Sequence, residues 1–289
     1  MTPLLLRVSD NEIWLRGGRC WLRAMLSQWS GEERLHANVL TPVLISGKQG
    51  LSKSTFCRLL MPDSLRHYFI DNLNLAAGSS PEKKLVKNGL INLDEFDKIK
   101  ESQQATLKNL LQMVNVPVFR GKRLGWVNES RLASFIATTN VYQVLIDSTG
   151  SRRFLCVEVL KPISEEPLEH KQIYAQLKEE LKSGAPDYLN KEEEKALQKH
   201  NKAYYRQSLL EDVFHCCFRH PLETEKGIWL TTAEIFQVMR KFNSAALKEV
   251  SARQLGLKLS AMGYMAKHTS FGNRYYVFNL SAEKKDASL

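Results

Sequence analysis

Residues Ile45–Thr55 have the sequence ISGKQGLSKST; they follow the apolar run Pro42–Ile45 and precede a short helical pattern at Thr55–Leu60. A strand, a glycine-containing loop, a Lys-Ser pair and a helix, in this order, are typical of a P-loop, whose backbone N–H groups converge on phosphate. We expect Lys53 to reach the β- and γ-phosphates of a nucleotide, and the Ser54 hydroxyl to ligate Mg²⁺. The predicted nucleotide-binding residues are Gly47, Lys48, Gln49, Gly50, Leu51, Ser52, Lys53, Ser54 and Thr55.

One position of this loop departs from the usual pattern G-x-x-x-x-G-K-[ST], because Ser52 stands where the second glycine is expected. Glycine allows the backbone to approach a phosphate closely. Serine is small and is a good helix N-cap, so it is a mild replacement. We therefore expect the loop to form, with a nucleotide affinity that depends on Ser52. The alternative is a turn rich in Gly and Ser that carries a lysine by chance.

The composition indicates a soluble protein of two domains with a polyanionic partner. The chain has 289 residues, a net charge of +10 and 5 cysteines. The positive charge favours nucleic acid as the partner, although a basic protein without such a partner is the alternative. No apolar run approaches the roughly 20 residues of a membrane span. Because the cysteines show no C-x-x-C spacing, we expect reduced thiols, a cytoplasmic protein and no membrane association.

An acidic pair follows a second apolar segment, in the stretch Gly89–Asp97. A buried strand that ends in Asp-Glu suits phosphoryl transfer, since Asp94 can hold the Mg²⁺ shell while Glu95 orients or deprotonates the attacking water. Asn92 is an unusual residue inside such a strand. The alternative is a strand that simply ends in an acidic turn.

A third apolar segment, Arg131–Asn140, ends in a polar amide. Ligands bind α/β sheets at the carboxyl ends of the strands, so we expect Asn140 to meet the γ-phosphate or the attacking water there. Arg152 and Arg153 lie on a predicted turn before the apolar strand Phe154–Leu160. Both are candidates to stabilise charge in the transition state, from the same chain or from a neighbouring subunit.

Four other segments have recognisable patterns. Residues 7–35 are predicted to be mostly helical, with a break at Gly17-Gly18, and Leu65–Ile70 to form a strand. Residues 98–115 are predicted to form an amphipathic helix. Val116–Val127 is predicted to be a hairpin whose basic tip contacts nucleic acid, or is simply a solvated turn. The tip residues are Arg120, Lys122 and Arg123.

The C-terminal part of the chain predicts a charged helical linker followed by a winged-helix domain. A strand at Ile228–Leu230 precedes helices at 231–241 and 251–263, and two strands flank a turn at Gly272-Asn273. Helix-turn-helix variants place their second helix in a major groove, so we expect DNA contact, with packing on a protein as the alternative. The expected phosphate contacts are Arg253, Lys258, Lys267 and Arg274.

Over residues 35–160 the motifs together resemble the virulence-associated E (VirE) family of P-loop ATPases. That family is related to phage and plasmid primase-helicases and to superfamily 3 helicases of the AAA+ type. The matching elements are Gly47–Thr55 for the G-x-Q-G-x-G-K-S-T loop, Leu93–Glu95 for an L-D-E strand end, Lys108 and Arg120 for a helix lysine and a hairpin arginine, Arg131 and Ala137–Asn140 for an arginine before a T-T-N strand end, and Asp147–Phe154 for a D-x-T-G-x-R-R-F element. Ser52 and a hairpin without the family's Pro-Tyr are departures from the family pattern.

The resemblance implies an α/β, AAA+-like P-loop NTPase core with a helical linker and a C-terminal winged-helix domain. The expected boundaries are 1–35 for an N-terminal helical segment, 36–162 for the core, 163–222 for a helical lid or linker, 223–281 for the winged helix and 282–289 for a tail. Family members often carry a primase or other N-terminal domain. Since little precedes the loop here, we expect a short protein or one part of a split protein, with a possible separate primase.

The implied function is Mg²⁺-dependent ATP hydrolysis on DNA, as a helicase or a replication or mobilisation ATPase of a mobile element. The implied assembly is a homo-oligomeric ring, across whose interface Arg152 or Arg153 acts. Two alternatives remain open at this point. One is a nucleotide-switched DNA-binding or adaptor protein with little turnover, and the other is a structural remnant that binds no nucleotide.

Overall fold

A computed structural model describes residues 6–31, 34–76, 79–146, 148–206, 209–222, 224–248, 250–270 and 272–280. The chain divides into two compact units, and the division falls between Tyr205 and Arg206, inside the predicted linker. Asp147, which begins the predicted D-x-T-G-x-R-R-F element, and the predicted tail of residues 282–289 lie outside the described residues. Within the described ranges, no helix combines the length and the apolar character needed to cross a bilayer.

The first unit is built on a parallel sheet with helices on both faces. Its strands are β1 (Thr41–Ile45), β2 (Phe69–Asp71), β3 (Leu90–Leu93), β4 (Asn115–Phe119), β5 (Trp126–Ser130), β6 (Ser134–Thr139) and β7 (Phe154–Glu158), and its helices are α1 (Asn11–Trp29), α2 (Lys53–Leu59), α3 (Glu82–Leu85), α4 (Glu101–Gln112), α5 (His170–Lys182) and α6 (Lys191–His200). Five strands form the parallel sheet in the order β2-β3-β6-β1-β7. Strands β1 and β6 are buried along their whole length, as expected where helices cover both faces of a parallel sheet.

Alternate residues of β1 enter two separate apolar cores. Leu44 packs in one core with side chains of α1, α5 and α6, among them Trp21 and Leu177. Val43 and Ile45 pack in the other, with leucines of α4. The charged helices after β7 therefore cover one face of the sheet as part of the first unit. Glu180 of α5 accepts hydrogen bonds there from arginines of α1.

Helix α1 runs without a break through Gly17 and Gly18, so the predicted interruption is wrong. Gly17 lies against β7, where an added Cβ would be 2.9 Å from the methyl carbons of Leu155. The glycine thus allows the helix to approach the sheet closely. The cost of glycine inside a helix is offset by the packing of Trp14, Trp21 and Met25.

The segment Asp63–Tyr68 forms 3₁₀ turns, and only Phe69–Asp71 of the following residues forms a strand. The predicted strand at Leu65–Ile70 is therefore shorter and begins later. No side chain of Asp63–Tyr68 is buried, so nothing holds these residues against the sheet. The amide of Asn92 in β3 donates to the carboxylate of Asp71 at 2.9 Å, which explains a polar residue in a buried strand.

The predicted hairpin forms, with β4 and β5 paired from Asn115 opposite Ser130 to Phe119 opposite Trp126. Its tip is residues 120–125. Helix α4 ends at Gln112 and β4 begins at Asn115, so the helix predicted at 98–115 is shorter at both ends.

The second unit contains α7 (Leu209–Cys217), β8 (Phe218–Arg219), β9 (Ile228–Thr231), α8 (Thr232–Phe242), α9 (Ala252–Ala261), β10 (Ala266–Thr269) and β11 (Gly272–Asn279). Strand β11 pairs antiparallel with β8, β9 and β10. The side chains of Thr231 and Ser251 cap α8 and α9 in capping boxes. Phe214, Met239, Leu255 and Tyr275 are among the residues of a core that this unit forms by itself.

Arg131 is buried at the amino end of β6, on the opposite edge of the sheet from the predicted nucleotide site. Its guanidinium donates to the carbonyl oxygens of Leu110 (3.1 Å), Leu111 (2.8 Å) and Asn38 (3.0 Å). Burial lowers the pKa of Arg131 to about 9. This arginine therefore satisfies the last carbonyl groups of α4 and ties that helix to the sheet.

We predict that Arg131→Met lowers the free energy of unfolding by about 3 kcal/mol or more, because several buried carbonyl groups lose their donors. Urea denaturation followed by tryptophan fluorescence measures the change. Arg123→Met, at the exposed hairpin tip, is the matched control and should change stability by less than about 0.5 kcal/mol. Equal stabilities of the two variants would contradict this role of Arg131.

Candidate functional site

Three strand ends of the first unit meet in one cleft. The segments that follow β1, β3 and β6 line a cavity of about 380 Å³, a volume within the range of small-molecule sites. Its lining residues are Gln49, Gly50, Leu51, Ser52, Lys53, Ser54, Thr55, Asp94, Glu95, Asp97, Thr138, Thr139 and Asn140. The structure therefore brings most of the predicted nucleotide, metal and catalytic residues together.

Lys53 is the buried cation of this cleft, with 8% of its surface exposed. Its ammonium donates to the hydroxyl of Ser46 and to Oδ1 of Asn140, the latter at 2.9 Å. Burial lowers the pKa of Lys53, and the carboxylate of Asp94 partly opposes that shift. Because both of these hydrogen-bond acceptors are neutral oxygens, the arrangement favours an anion beside the ammonium.

Asp94 gathers the hydroxyl groups of the site. Its Oδ1 accepts from Ser54 Oγ at 3.1 Å and from the hydroxyl of Thr138. Oxygens that ligate one Mg²⁺ at about 2.1 Å in adjacent octahedral positions lie about 3 Å apart. The Ser54 and Asp94 oxygens therefore fit a magnesium ion. Among the described residues no group of three or more His, Cys, Asp or Glu converges, and Mg²⁺ typically needs only one or two carboxylates besides phosphate and water.

Glu95 follows directly, in a backbone conformation that non-glycine residues rarely adopt, with φ 52° and ψ 49°. Its side chain is exposed at the mouth of the cleft, where Lys98 Nζ lies 2.6 Å from its carboxylate. The neighbouring Asp97 accepts from the hydroxyl of Thr139 at 2.5 Å. Backbone strain of this kind concentrates at functional sites, where it fixes the direction of a side chain.

Gly47 begins the loop under the ring of Tyr142, and an added Cβ would lie 2.9 Å from that ring. The Gly47 N–H donates to the phenol oxygen, and the phenol donates to the carboxylate of Glu158. This contact with Glu158 raises the pKa of Tyr142. The tyrosine thereby ties the start of the loop to the end of β7.

Ser52 has φ 58° and makes no side-chain hydrogen bond to α2, so the expectation that it acts as an N-cap is wrong. Its hydroxyl instead donates to Oε1 of Glu165 at 2.6 Å. The backbone N–H of Ile163 donates to the carbonyl of Leu51 at 3.2 Å. The segment after β7 is thus held against the loop at two points. A left-handed conformation explains why this position of the pattern favours glycine.

Arg152 and Arg153 are not among the residues that line the cleft. Arg152 is about half exposed and forms an ion pair with Glu194 of α6, with 3.2 Å between Nη1 and Oε2. Their predicted contact with a nucleotide from a neighbouring subunit stays a prediction.

The predicted DNA contacts differ in their availability. Arg120 is held by Glu129 through two hydrogen bonds, and Lys258 by Glu211 at 2.9 Å. Lys122, Arg123, Arg253 and Lys267 are exposed, and Arg274 is half-buried. Beside the hairpin tip, the exposed rings of Phe119 and Trp126 lie 5.6 Å apart between centroids.

Thr138, Asp97, Tyr142 and Glu165 join the site without having been assigned a role from the sequence. Thr138 could have been recognised from its place in the predicted strand, because it lies just before the T-N end and beside β1 in the sheet. Glu165 and Tyr142 reach the loop only through the path of the chain after β6 and β7. No local pattern indicates that path.

The fold and this cleft define an α/β protein with a ligand site at the carboxyl edge of a parallel sheet. Residues 6–206 match the family model described as "Virulence-associated protein E-like domain". The match covers more than half of the chain, which therefore belongs to that family. Residues 207–277 match a second family model, DUF3874, described as a domain of unknown function from a B. Theta gene.

Comparison with solved structures returns two apo structures of the NrS-1 C terminal region. One has 13% identity and a TM-score of 0.42 and covers 91% of this chain and 71% of that one. The other has 14% identity and a TM-score of 0.39 and covers 93% and 72%. The search of curated proteins returned no match.

We predict that Ser52→Gly is more stable than Ser52→Ala by about 1 kcal/mol. Both substitutions remove the hydroxyl bonded to Glu165, but only alanine keeps the cost of a left-handed backbone. Urea denaturation of the two variants side by side measures the difference. Equal stability would contradict the strained conformation at this position.

Proposed function

We propose that this protein is a Mg²⁺-dependent ATPase that acts on DNA, as a helicase or as a replication or mobilisation ATPase of a mobile element. Membership of the virulence-associated protein E-like family supports a role related to mobile-element replication. The observation that carries the proposal is the convergence of Lys53, Ser54, Asp94 and Asn140 on one cleft.

Each of these residues has a distinct role in the proposed reaction. Lys53 neutralises the β- and γ-phosphates, and its hydrogen bond to Asn140 aims that amide at the γ-phosphate. Ser54 and Asp94 hold the magnesium ion, which bridges phosphate oxygens and neutralises developing charge. Glu95, at the mouth of the cleft, orients or deprotonates the attacking water. Catalysis of this kind consists mostly of positioning and charge stabilisation.

The transition-state arginine of the proposal is supplied in a homo-oligomeric ring. Arg152 is exposed and paired only with the surface residue Glu194 among the contacts described above. Such a pair is worth little and can be exchanged for a phosphate of a neighbouring subunit. Arg153, the next residue, is the second candidate for this role.

The DNA contacts of the proposal fall in both units. On the hairpin, Phe119 and Trp126 offer exposed rings next to Lys122 and Arg123, a combination suited to stacking bases and binding backbone phosphate. In the second unit, the order of α7, β9, α8, α9, β10 and β11 supports the winged-helix interpretation. A separate primase would supply a partner that the chain does not itself require for turnover.

A second candidate function is a nucleotide-switched DNA-binding or adaptor protein with little turnover. The hydrogen bond between Ser52 and Glu165 favours it, because a carboxylate held at the loop repels phosphate. In that function ATP displaces the segment around Glu165, and the displacement rather than hydrolysis is the signal.

Steady-state ATP hydrolysis with and without single-stranded DNA tests the proposal. We predict that Lys53→Ala and Glu95→Gln each lower turnover by about 100-fold or more, since each removes charge stabilisation or water activation. Lys83→Ala, an exposed lysine of α3, is the matched control and should retain full turnover. Chelation of Mg²⁺ should abolish hydrolysis.

The outcomes separate the two candidates. Hydrolysis that survives both substitutions would contradict the ATPase proposal. Absent turnover in the unmodified protein, with ATP binding that is lost in Lys53→Ala, would favour the switch.

A further inference from the structure

The sheet of the second unit has one face turned away from its core. Along β11, Tyr275 and Val277 are buried in that core, so the alternate residues Arg274 and Tyr276 belong to the other face. Residues directly opposite each other in an antiparallel pair share a face. Trp229 is opposite Tyr276, so its indole belongs to this outer face as well.

Two cations of this face lie directly opposite each other. Arg274 pairs with Lys267 of β10 on one side and with Thr231 of β9 on the other. Like charges in opposite positions destabilise a sheet unless an anion lies between them. Arg274 Nε is buried, and no hydrogen-bond partner is recorded for it. The carboxylate of Glu234 is close enough to interact with Arg274, but its Oε2 accepts from the backbone and hydroxyl of Thr231 at 2.7 and 2.8 Å.

An exposed indole occupies the next row of the same face. Trp229 is 37% exposed, and its ring centroid is 5.1 Å from that of Tyr276. The phenol of Tyr276 accepts from the backbone N–H of Gly227 at 2.8 Å, which fixes the ring that supports Trp229. The indole is therefore a rigid aromatic platform about 7 Å, two residues along a strand, from the pair of cations.

Contacts within the chain close the far side of this surface. Arg219, opposite Phe278, lies over the phenyl ring at 4.1 Å and forms an ion pair with Glu225. The open surface thus consists of Trp229, Thr231, Lys267 and Arg274, which we call the Trp229 face.

We propose that the Trp229 face binds single-stranded nucleic acid, with a backbone phosphate between Lys267 and Arg274 and a base stacked on Trp229. Aromatic platforms beside a basic groove are the usual means of binding unpaired strands. Stacking on an indole requires an unpaired base, so this face selects single strands over duplex. Helix α9 is poorly suited to a major groove, because Lys258 is paired with Glu211 and Leu257 is exposed. The proposal rests on the proposed action on DNA and names its form in the second unit.

The test is the affinity of the full-length protein for a fluorescein-labelled oligothymidine, measured by fluorescence anisotropy without ATP. We use the Trp126→Ala background so that the hairpin does not mask the second unit. Trp229→Ala should weaken binding by roughly 5- to 100-fold, whereas Trp229→Phe, which keeps an aromatic ring, should restore most of the affinity. A duplex of the same length should bind more weakly and should be less affected by Trp229→Ala.

The phosphate contact has its own readout. The slope of log K against log salt concentration should fall by about 0.7 for each of Lys267→Gln and Arg274→Gln. Lys241→Gln, an exposed lysine of α8 outside the Trp229 face, is the charge-matched control for non-specific attraction. Its slope should change less than that of either variant.

Unchanged affinity in Trp229→Ala, equal loss in Trp229→Phe, or unchanged slopes would overturn the proposal; unchanged affinity would leave the face to a protein partner. Hydrolysis of ATP without DNA is measured in parallel. Loss of turnover with intact binding counts against the ATPase alone. Intact turnover with no effect of these variants counts against the Trp229 face alone.

Discussion

The parallel register of three buried strands is the constraint on which the site depends. Ile45 of β1 is opposite Thr139 of β6, and Leu93 of β3 is opposite Ala137. All three strands therefore end at the same edge, and the residues that follow them face one cleft. Two apolar cores fix this register, because alternate side chains of the strands enter different cores and a shift by one residue would exchange them.

The electrostatics of the cleft follow from that geometry. Lys53 is brought into the interior by α2 and is satisfied by the oxygens of Ser46 and Asn140, while Asp94 is satisfied by hydroxyl groups. Neither ion pairs directly with the other in the hydrogen bonds described. A buried ammonium and a carboxylate kept apart by neutral groups form a site with separate places for an anion and a cation. Phosphate and magnesium require such a division.

Sequence patterns predicted the sheet strands and the site residues well where short segments determine them. The loop at Gly47–Thr55, the acidic strand end at Asp94 and the amide at Asn140 each follow an apolar strand, so topology alone brings them together. Local patterns failed where tertiary contacts decide. Gly17 continues a helix because it packs on Leu155, and Ser52 contacts Glu165, a residue more than a hundred positions away. The role of Arg131 at the opposite edge of the sheet is likewise invisible without the fold.

The central claim is that Asp94 and Lys53 provide joined sites for magnesium and nucleotide. Isothermal titration of the protein with ATP, in the presence of Mg²⁺ and in its absence, tests this claim most directly. We expect Mg²⁺ to tighten ATP binding by about 10-fold or more, and the gain to disappear in Asp94→Asn, which keeps the size of the side chain but not its charge. Equal affinity with and without Mg²⁺, or no ATP binding at all, would contradict the account.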